Sequence, residues 1–310
     1  MKHGTVDETM DELYWRIYKN VKDNGILYDT GNSCGPSVEV RPGCFTLTDP
    51  RRGLYSGVGR RLNYGFFAIE VAGYLAGRND SRYARLIARF NSKFEQYIDK
   101  ESGRLIGAYG PAIARNLPII AGILERDKYS RQAVCSLWND DTASMLDQNT
   151  KCTCSLHFLC ERINEVDKLS LHVYMRSNDI NWGVPYDVAA FTFIQCVMAD
   201  CLGMEVGHYY HTAGSLHYYT ASEPRIIRRD EELAVPPYPK YDMHKLRQGA
   251  SQNVCNMSTE FYALTEVVIN HLEMRPTVKD LILVRHDESL MSDWMLNMIK
   301  FRWSDRKVIS

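Results

Sequence analysis

The sequence lacks the features that mark several large classes of protein. It contains no G-x-G-x-x-G and no G-x-x-x-x-G-K-[ST] stretch, so a nucleotide cofactor held by those loops is not indicated. No apolar run is long enough to cross a membrane, since the longest, Val188 to Leu202, includes Gln195 and Asp200. The formal net charge is only -1, which gives no general basic field for a nucleic acid. A phosphate ligand must therefore be bound by a few placed arginines.

The chain also lacks a disulfide framework and a recognisable metal-ligand spacing. Its nine cysteines show no regular pattern, and no secretory signal follows Lys2 and His3, so we expect free thiols in a reducing cytoplasm. Cys152 and Cys154 form a C-x-C with no second pair at zinc spacing. The three histidines between residues 205 and 219 are spaced by three and six residues, which fits hydroxyl recognition better than zinc. We therefore expect no metal.

The composition is that of an ordinary soluble globular protein. Hydrophobic residues make up 45% of the chain and charged residues 24%. A chain of 310 residues can bury a large core as one or two domains. No internal repeat or low-complexity segment divides it.

A polar stretch over residues 176–187 lies between two predicted core elements. Before it, apolar residues alternate with polar ones from Leu169 to Met175, which predicts a strand with one buried face. After it, the apolar run to Leu202 predicts a buried helix with Gly203 as its C-cap. Polar groups held between rigid elements often form a site, and a simple connecting turn is the alternative.

The remaining elements follow from periodicity and turn residues. Helices are predicted over residues 7–23, 66–76, 80–97, 260–272 and 291–303. Strands are predicted after a turn within 41–48, at 130–139, over 151–159 and at 281–284. We expect a turn at Gly110-Pro111, a charged hairpin connection over 161–168, a strand-turn-helix over 205–219 and a surface connection over 225–247. Ser258 or Thr259 is the expected N-cap of the helix over 260–272.

Two charged residues have surroundings that suggest a function. Glu70 interrupts a strongly apolar helix, so its carboxylate either faces solvent or is buried, and the flanking Ile69 and Val71 favour burial. Burial would raise the pKa of Glu70 and make it a candidate proton shuttle. Arg41 lies near Gly43, which permits close backbone approach, so Arg41 is either a surface charge or an anion ligand.

A series of ordered motifs resembles the thymidylate synthase superfamily, and within it the deoxycytidylate 5-hydroxymethylase branch. The phosphate loop R-T-G-T-G-T-L-S resembles residues 41–48, the helix with a single glutamate resembles the one carrying Glu70, and the Y-G pair resembles Tyr109-Gly110. The S-R-R strand resembles residues 130–132, where only Arg131 is retained. The nucleophile motif C-H-x-x-x-Q-F resembles 152–158, R-S-x-D with G-V-P-F-N resembles 176–187, and H-T-x-G-x-x-H-x-Y resembles 211–219. The resemblance covers about residues 41–219.

This resemblance implies a fold, a chemistry and a set of partners. The fold would be α+β, a large twisted mixed sheet flanked by helices, with one sheet face at a homodimer interface. Residues 1–310 would form a single catalytic domain, with 220–310 as its divergent C-terminal part. The substrates would be a pyrimidine nucleoside monophosphate and 5,10-methylenetetrahydrofolate, with no metal, nucleic acid or membrane involved.

The resemblance also implies a task for each site residue. Cys152 is the nucleophile, Glu70 transfers protons, and Asp179 contacts the folate. The implied phosphate ligands are Arg41, Arg176, Ser177 and, contributed across the dimer interface, Arg131. His217 and Tyr219 hold the sugar, Asp187 reads the base, and Tyr109 and His157 support the site.

Asp187 stands where thymidylate synthases have the asparagine that reads uracil. Cytosine presents an N3 acceptor and a 4-amino donor, so a carboxylate accepts from the amino group and, when protonated, donates to N3. A carboxylate facing uracil O4 sets acceptor against acceptor, which is costly in a buried site. Asp187 therefore favours a cytosine base, and its alternative role is the N-cap of the following helix.

The implied reaction begins when the Cys152 thiolate adds to C6 of the base and activates C5 toward the one-carbon unit. We expect Arg176 to lower the pKa of this thiol. Water addition then gives a hydroxymethyl product, whereas hydride transfer from the folate gives a methyl product. Cys154 is the rival nucleophile, but only Cys152 keeps the family's six-residue step to Phe158.

Departures from the family pattern leave alternatives open. Thr153 and His157 replace the usual histidine and glutamine, the segment 158–176 is longer than usual and suggests a longer hairpin, and the part beyond Tyr219 does not resemble the synthase C-terminus. The alternative functions are a CMP-preferring hydroxymethylase, a cytidylate methylase and a uridylate-using thymidylate synthase. A catalytically silent member that binds RNA or a protein is the alternative of a different class.

Overall fold

The computed structural model of the chain describes residues 4–29, 31, 34–56, 62–138, 151–224, 238 and 249–274. Within these residues the strands are β1 (Thr5–Asp7), β2 (Ile26–Tyr28), β3 (Ser37–Val40), β4 (Gly43–Leu47), β5 (Val134–Ser136), β6 (Thr153–Ile163), β7 (Val166–Asp179) and β8 (Glu205–Tyr219). The helices are α1 (Met10–Asn24), α2 (Tyr64–Leu75), α3 (Ser81–Phe90), α4 (Gly110–Arg126), α5 (Val184–Leu202) and α6 (Ala250–Met274).

The strands form one mixed sheet in the order β1-β4-β8-β7-β6-β5, with β3 also paired to β8 and β2 to β3. The β7–β8 and β1–β4 pairs are parallel, and the other pairs are antiparallel. This is the α+β architecture predicted from the sequence, a large mixed sheet flanked by helices. The β6–β7 pair confirms the longer hairpin, whose turn residues Asn164 and Glu165 both have positive φ.

Helix α5 is the centre of the core, because every side chain from Val188 to Cys201 is buried. It connects the parallel strands β7 and β8, as such a crossover requires. Gln195 lies inside this apolar run and donates to the backbone oxygen of Leu169 on β7, at 2.9 Å, and of His208 on β8, at 3.1 Å. The helix ends at Gly203, whose φ of 66° is the left-handed C-cap predicted from the sequence.

Strand β8 contradicts the prediction of a strand-turn-helix over residues 205–219. It runs unbroken from Glu205 to Tyr219, through Gly207 and Gly214. A Cβ on Gly214 would lie 2.8 Å from the carbonyl oxygen of Arg176 on β7. The glycine is therefore explained by close strand approach rather than by a turn.

Two helix boundaries also differ from the prediction. Gly110-Pro111 begins α4 instead of forming a turn, since a proline in the first helical turn needs no intrahelical donor. Helix α6 begins at Ala250, well before the predicted N-cap. Ser258 does not cap α6, because its hydroxyl donates to the carbonyl oxygen of Leu75 at the end of α2, 2.6 Å away.

The predicted helix over 80–97 is divided into α3 and a 3-10 segment, Ser92–Tyr97. The predicted strand at 281–284 and helix at 291–303 lie outside the described residues. Within the predicted surface connection over 225–247 only Tyr238 is described, and it is 2% exposed. Its hydroxyl donates to Ala189 of α5. Among the described helices, none has the length and apolar character needed to span a membrane.

Candidate active site

A cavity of about 710 Å³ lies between the end of β7 and helices α2, α3 and α5. Its volume is within the range of small-molecule sites. Nine of the residues singled out from the sequence line it: Glu70, Tyr109, Cys152, Arg176, Ser177, Asp179, Asp187, His217 and Tyr219. These residues are far apart in the sequence, and the fold brings them to one place.

Cys152 is positioned immediately before β6 by hydrogen bonds to its backbone. The Tyr109 hydroxyl accepts from the backbone N–H of Cys152 at 3.3 Å and of Thr153 at 3.2 Å. The carbonyl of Cys152 accepts from the N–H of Arg176 on β7 at 2.9 Å. Cys154 is not among the residues that line the cavity. The geometry therefore favours Cys152 over Cys154 as the thiol that faces a ligand.

The pKa of Cys152 differs from the expectation. Burial raises the pKa of its thiol, and this outweighs the guanidinium of Arg176, which lies 3.6 Å from Sγ and acts to lower it. Arg176 is held by a bond from its Nε to the carbonyl oxygen of Lys151, at 3.0 Å. The free site therefore keeps Cys152 mainly as a thiol, and Arg176 is the group that opposes this.

Two carboxyl groups with raised pKa lie on facing helices of the cavity. Glu70 on α2 is 7% exposed, as predicted, and burial together with the nearby charge of Asp187 raises its pKa to about 8, against a hydrogen bond from Tyr74. Asp187 lies in the first turn of α5, and burial raises its pKa to about 7. Both groups can therefore hold a proton near neutral pH, which is the condition for acid–base work there.

Asp187 is not the N-cap of α5. That position is Gly183, and no side chain caps it. The side chain of Asp187 is instead hydrogen-bonded to the amide of Asn178, a bond that lowers its pKa against the larger effect of burial. A Cβ on Gly183 would lie 2.3 Å from Oδ1 of Asn178 and 3.0 Å from Oδ2 of Asp187, so a glycine is required for the two side chains to meet.

The polar stretch is part of regular structure rather than a free loop. Arg176, Ser177 and Asp179 belong to β7, where Ser177 pairs with Ser215 and Asp179 with His217 of β8. Oδ1 of Asp179 accepts from the backbone N–H of Trp182 at 2.9 Å, which closes the turn into α5. The turn thus fixes one carboxylate oxygen while the residue still lines the cavity.

Three residues singled out from the sequence do not line the cavity. Arg41 follows β3, where its Nε donates to Glu39 at 2.6 Å and its guanidinium stacks on the ring of Tyr28. Arg131 is exposed before β5. His157 lies on β6 with its Nε2 3.1 Å from the carbonyl oxygen of Arg131. The structure therefore does not bring these three residues to the other nine.

The cavity also contains residues that sequence reasoning missed. Trp182 and Lys93 both line it, with the Lys93 ammonium 3.2 Å from the centroid of the Trp182 ring. Asn178 was passed over because it lay between two recognised motif residues. Nothing in the sequence marks Tyr74 as a site residue, because its hydrogen bond to Glu70 depends on both side chains lying on the same side of α2.

Comparison with known proteins agrees with this geometry. The sequence is similar to the deoxyuridylate hydroxymethyltransferase of Bacillus phage SP01, with 28% identity over 276 residues that cover 76% of this chain and 70% of the relative. The thymidylate synthase family matches residues 60–282, so the match starts after Arg41 and continues past Tyr219. Strands β5 to β8 and helices α2 to α6 all lie within the matched residues. The chain belongs to the thymidylate synthase family.

Proposed function

We propose that this chain catalyses the folate-dependent 5-hydroxymethylation of a cytidine monophosphate nucleotide, with dCMP as the preferred substrate. The observation that carries the proposal is one cavity lined by a thiol, Cys152, and by two acids with raised pKa, Glu70 and Asp187. The similarity to a deoxyuridylate hydroxymethyltransferase supports hydroxymethyl transfer, and Asp187 supports cytosine.

Cys152 acts as the nucleophile that adds to C6 of the base. Since burial raises the pKa of its thiol, Arg176 supplies the positive charge that favours the thiolate. Tyr109 holds the backbone of Cys152 in place from α4. Methylenetetrahydrofolate supplies the one-carbon unit when it is bound.

Glu70 transfers protons in the steps that follow the addition of Cys152 to the base. With a pKa of about 8 it carries a proton at neutral pH, so it can exchange a proton with the base. It can also orient the water that adds to the one-carbon unit attached to C5. The Tyr74 hydroxyl steadies the carboxyl from within α2. Water addition at this carbon leaves tetrahydrofolate as the second product.

Asp187 reads the base in its protonated form. One oxygen accepts from the 4-amino group of cytosine while the protonated oxygen donates to N3. The amide of Asn178 fixes the orientation of the carboxyl. Asp187 keeps this proton near neutral pH because the carboxyl is buried.

The remaining ligands follow the family pattern. Arg176 and Ser177, which line the cavity, bind the phosphate together with Arg131 of the partner subunit in a homodimer. His217 and Tyr219 bind the sugar. Asp179 contacts the folate, and the aromatic and cationic pair of Trp182 and Lys93 fits a flat, anionic ligand at that end of the cavity.

A deoxyuridylate substrate is the second candidate. The relative acts on that nucleotide according to its name. A protonated carboxyl turned over can donate to uracil O4 and accept from N3–H, so Asp187 with a pKa of about 7 also permits this pairing. Base preference therefore decides between the two candidates.

The test is to incubate the enzyme with methylenetetrahydrofolate and each of dCMP, CMP and dUMP, and to identify the products by mass. We expect hydroxymethylated dCMP with release of tetrahydrofolate. Formation of dihydrofolate and a methylated nucleotide would overturn the hydroxymethyl assignment. Faster turnover of dUMP than of dCMP would overturn the cytosine assignment.

Asp187→Asn is expected to lower the ratio of kcat/KM for dCMP over dUMP by about tenfold or more, since a base-edge mismatch costs about 1–3 kcal/mol. The variant replaces the ionisable carboxyl by an amide with one donor and one acceptor that match uracil. The same assay series gives the ratio. An unchanged ratio would show that Asp187 does not read the base.

Cys152→Ala should abolish exchange of the C5 hydrogen of the nucleotide with water, because no adduct forms at C6. Cys154→Ala is the matched control and should retain exchange, as this thiol does not line the cavity. Release of tritium from C5-labelled nucleotide measures both. Exchange that persists in Cys152→Ala and disappears in Cys154→Ala would reverse the assignment.

A further inference from the structure

A buried carboxylate that the proposed reaction does not use, Glu39, is connected through Ser215 to His217, which lines the cavity. Glu39 on β3 is 4% exposed, and it is paired in register with His217 of the neighbouring strand β8. Its Oε1 accepts from the Ser37 hydroxyl at 2.6 Å. Its Oε2 accepts from the Ser215 hydroxyl at 2.7 Å and from Nε of Arg41 at 2.6 Å. A buried carboxylate that accepts three hydrogen bonds is held in a fixed orientation, unlike a charge on the surface.

The protonation of this cluster follows from its donors. Burial alone would raise the pKa of Glu39, but the hydrogen bonds from Arg41, Ser37 and Ser215 together lower it. Glu39 is therefore ionised at neutral pH and can only accept hydrogen bonds. The single hydroxyl proton of Ser215 is committed to Glu39.

The direction of the Ser215 hydroxyl proton determines which ring nitrogen of His217 carries a hydrogen. Nδ1 of His217 lies 3.1 Å from the oxygen of Ser215. Since the serine proton points at Glu39, that oxygen can only accept, so Nδ1 must carry the hydrogen of the neutral imidazole. The other nitrogen, Nε2, is then an acceptor, and His217 lines the cavity.

We propose that Glu39 is a positioning residue for sugar recognition, which acts through Ser215 to fix the Nδ1–H tautomer of His217 so that Nε2 accepts from a sugar hydroxyl. This rests on the proposed function, because it assumes that the ligand at His217 is a nucleotide sugar. It also gives Arg41 a task outside the cavity, since Arg41 balances the charge of the buried carboxylate.

Glu39→Val is the decisive variant because it removes the acceptor of the Ser215 proton and places a residue suited to a strand on β3. The Ser215 hydroxyl is then free to donate to Nδ1 of His217, and the neutral ring must carry its hydrogen on Nε2. Glu39→Gln is the comparison variant, because its amide oxygen can accept from Arg41 and Ser215 as Oε2 of Glu39 does. Glu39→Val is thus expected to exchange an acceptor for a donor at the cavity, and Glu39→Gln to retain the acceptor.

The first measurement is the tautomer itself. Histidine-selective ¹⁵N labelling, with the His217 signal assigned by its loss in His217→Gln, should show Nδ1–H in the wild-type protein and in Glu39→Gln, and Nε2–H in Glu39→Val. Glu161→Val is the matched control, since Glu161 is also a strand carboxylate that accepts from a serine and a tyrosine hydroxyl, on β6 away from the cavity. A His217 signal that stays in the Nδ1–H form in Glu39→Val would overturn the inference.

The second measurement compares nucleotides with and without the 3'-hydroxyl, using whichever base the wild-type enzyme turns over fastest. We expect Glu39→Val to raise KM about three- to tenfold with little change in kcat, the loss of about one hydrogen bond. The loss should disappear for the 3'-deoxy nucleotide. Ser215→Ala removes the same connection and should behave alike, so it decides the result if Glu39→Val does not fold.

The outcomes separate this inference from the function on which it rests. If the wild-type enzyme binds both nucleotides equally, the sugar contact of His217 is wrong. If the wild-type enzyme needs the 3'-hydroxyl but both variants discriminate as well as it does, the sugar contact stands and the task of Glu39 is wrong.

Discussion

Glu70 and Asp187 are two acids whose protons are retained by burial, and at the residue scale this links the site to stability. An acid whose pKa is higher in the folded protein stays protonated there while the unfolded chain ionises. The contribution of the retained Glu70 proton to the free energy of unfolding is therefore complete below about pH 4.5. It is lost as the pH rises toward about 8, the pKa of Glu70 in the folded protein. Keeping this group in the core costs stability at neutral pH.

Glu70→Gln is expected to be more stable than the wild-type protein at pH 8, by on the order of a few kcal/mol, with the difference shrinking toward pH 5. The neutral amide has no proton to retain, so the free energy of unfolding no longer falls with pH on its account. Urea unfolding at several pH values measures this difference. Glu165→Gln, in the exposed hairpin turn, is the control and should follow the wild-type profile. Equal pH profiles for Glu70→Gln and the wild type would contradict the prediction.

Residues of the site were predictable where their chemistry conflicts with their surroundings. Glu70 in an apolar helix and Asp187 before a buried helix stand out for that reason. Glu39 does not, because β3 buries Ser37 and Glu39 more deeply than Val38 and Val40. A period of two defines two faces, and the usual rule that the valines face inward selects the wrong one here.

At the scale of elements, Arg78 joins the end of α2 to α3 and α6. It is 3% exposed and forms a two-bond pair with Asp80, while its Nη1 donates to Glu266 at 2.5 Å and to Thr265 at 3.0 Å. Arg82 also pairs with Glu266, but its side chain is 35% exposed. The two arginines therefore make similar bonds at different depths.

Arg78→Ala should lower the free energy of unfolding by about 1.5–3 kcal/mol, because it removes a buried charged donor. Its partners are the partly exposed carboxylates of Asp80 and Glu266 and the buried hydroxyl of Thr265. Arg78→Lys should recover only part of this, since an ammonium cannot reproduce the planar two-bond pair. Arg82→Ala, the exposed counterpart, should cost less than about 1 kcal/mol. Urea unfolding measures all three variants, and equal losses for Arg78→Ala and Arg82→Ala would contradict the argument from burial.

Elements were predicted where periodicity was strong and missed where polar residues serve a neighbouring element. The strand β7 and helix α5 were expected close to their observed positions. The first turns of α6 were missed because polar residues suggested a boundary. Asn253 in fact donates to the carbonyl oxygen of Cys201 on α5, and Ser258 to that of Leu75 on α2. A single sequence does not show which distant carbonyl such a side chain reaches.

At the scale of the whole molecule, one face of the sheet presents partly exposed side chains. Val134 is 42% exposed and Tyr174 is 47% exposed, and the rings of His157 and His172 lie across from each other on β6 and β7. Arg131 lies exposed just before β5, at the sheet edge. The proposed homodimer, in which Arg131 of the partner subunit completes the phosphate site, would use this face.

Mixing two inactive variants tests this arrangement. Cys152→Ala and Arg131→Ala homodimers should each be impaired, whereas their heterodimers contain one site with both groups intact. Equimolar mixing after subunit exchange should restore about a quarter of wild-type activity, since half of the dimers are mixed and half of their sites are complete.

The control is the mixture of Cys152→Ala with Arg176→Ala. Arg176 lies 3.6 Å from Cys152 within one subunit, so no mixed dimer of this pair has a complete site. Activity should stay absent in it. Equal recovery in both mixtures, or a monomer by light scattering, would contradict a site shared between subunits.

The long β6–β7 hairpin has a consequence for how such a chain can change its length in evolution. Its register continues without a shift from Ser155, opposite Tyr174, to Ile163, opposite Val166. Paired insertions at the tip, beside Asn164 and Glu165, extend both strands and leave every side chain below them on its own face. An insertion of one residue near Cys152 or Arg176 would turn the following side chains away from the cavity. Length variation among relatives is therefore expected at the tip of the hairpin, because changes there leave the residues of the cavity in place.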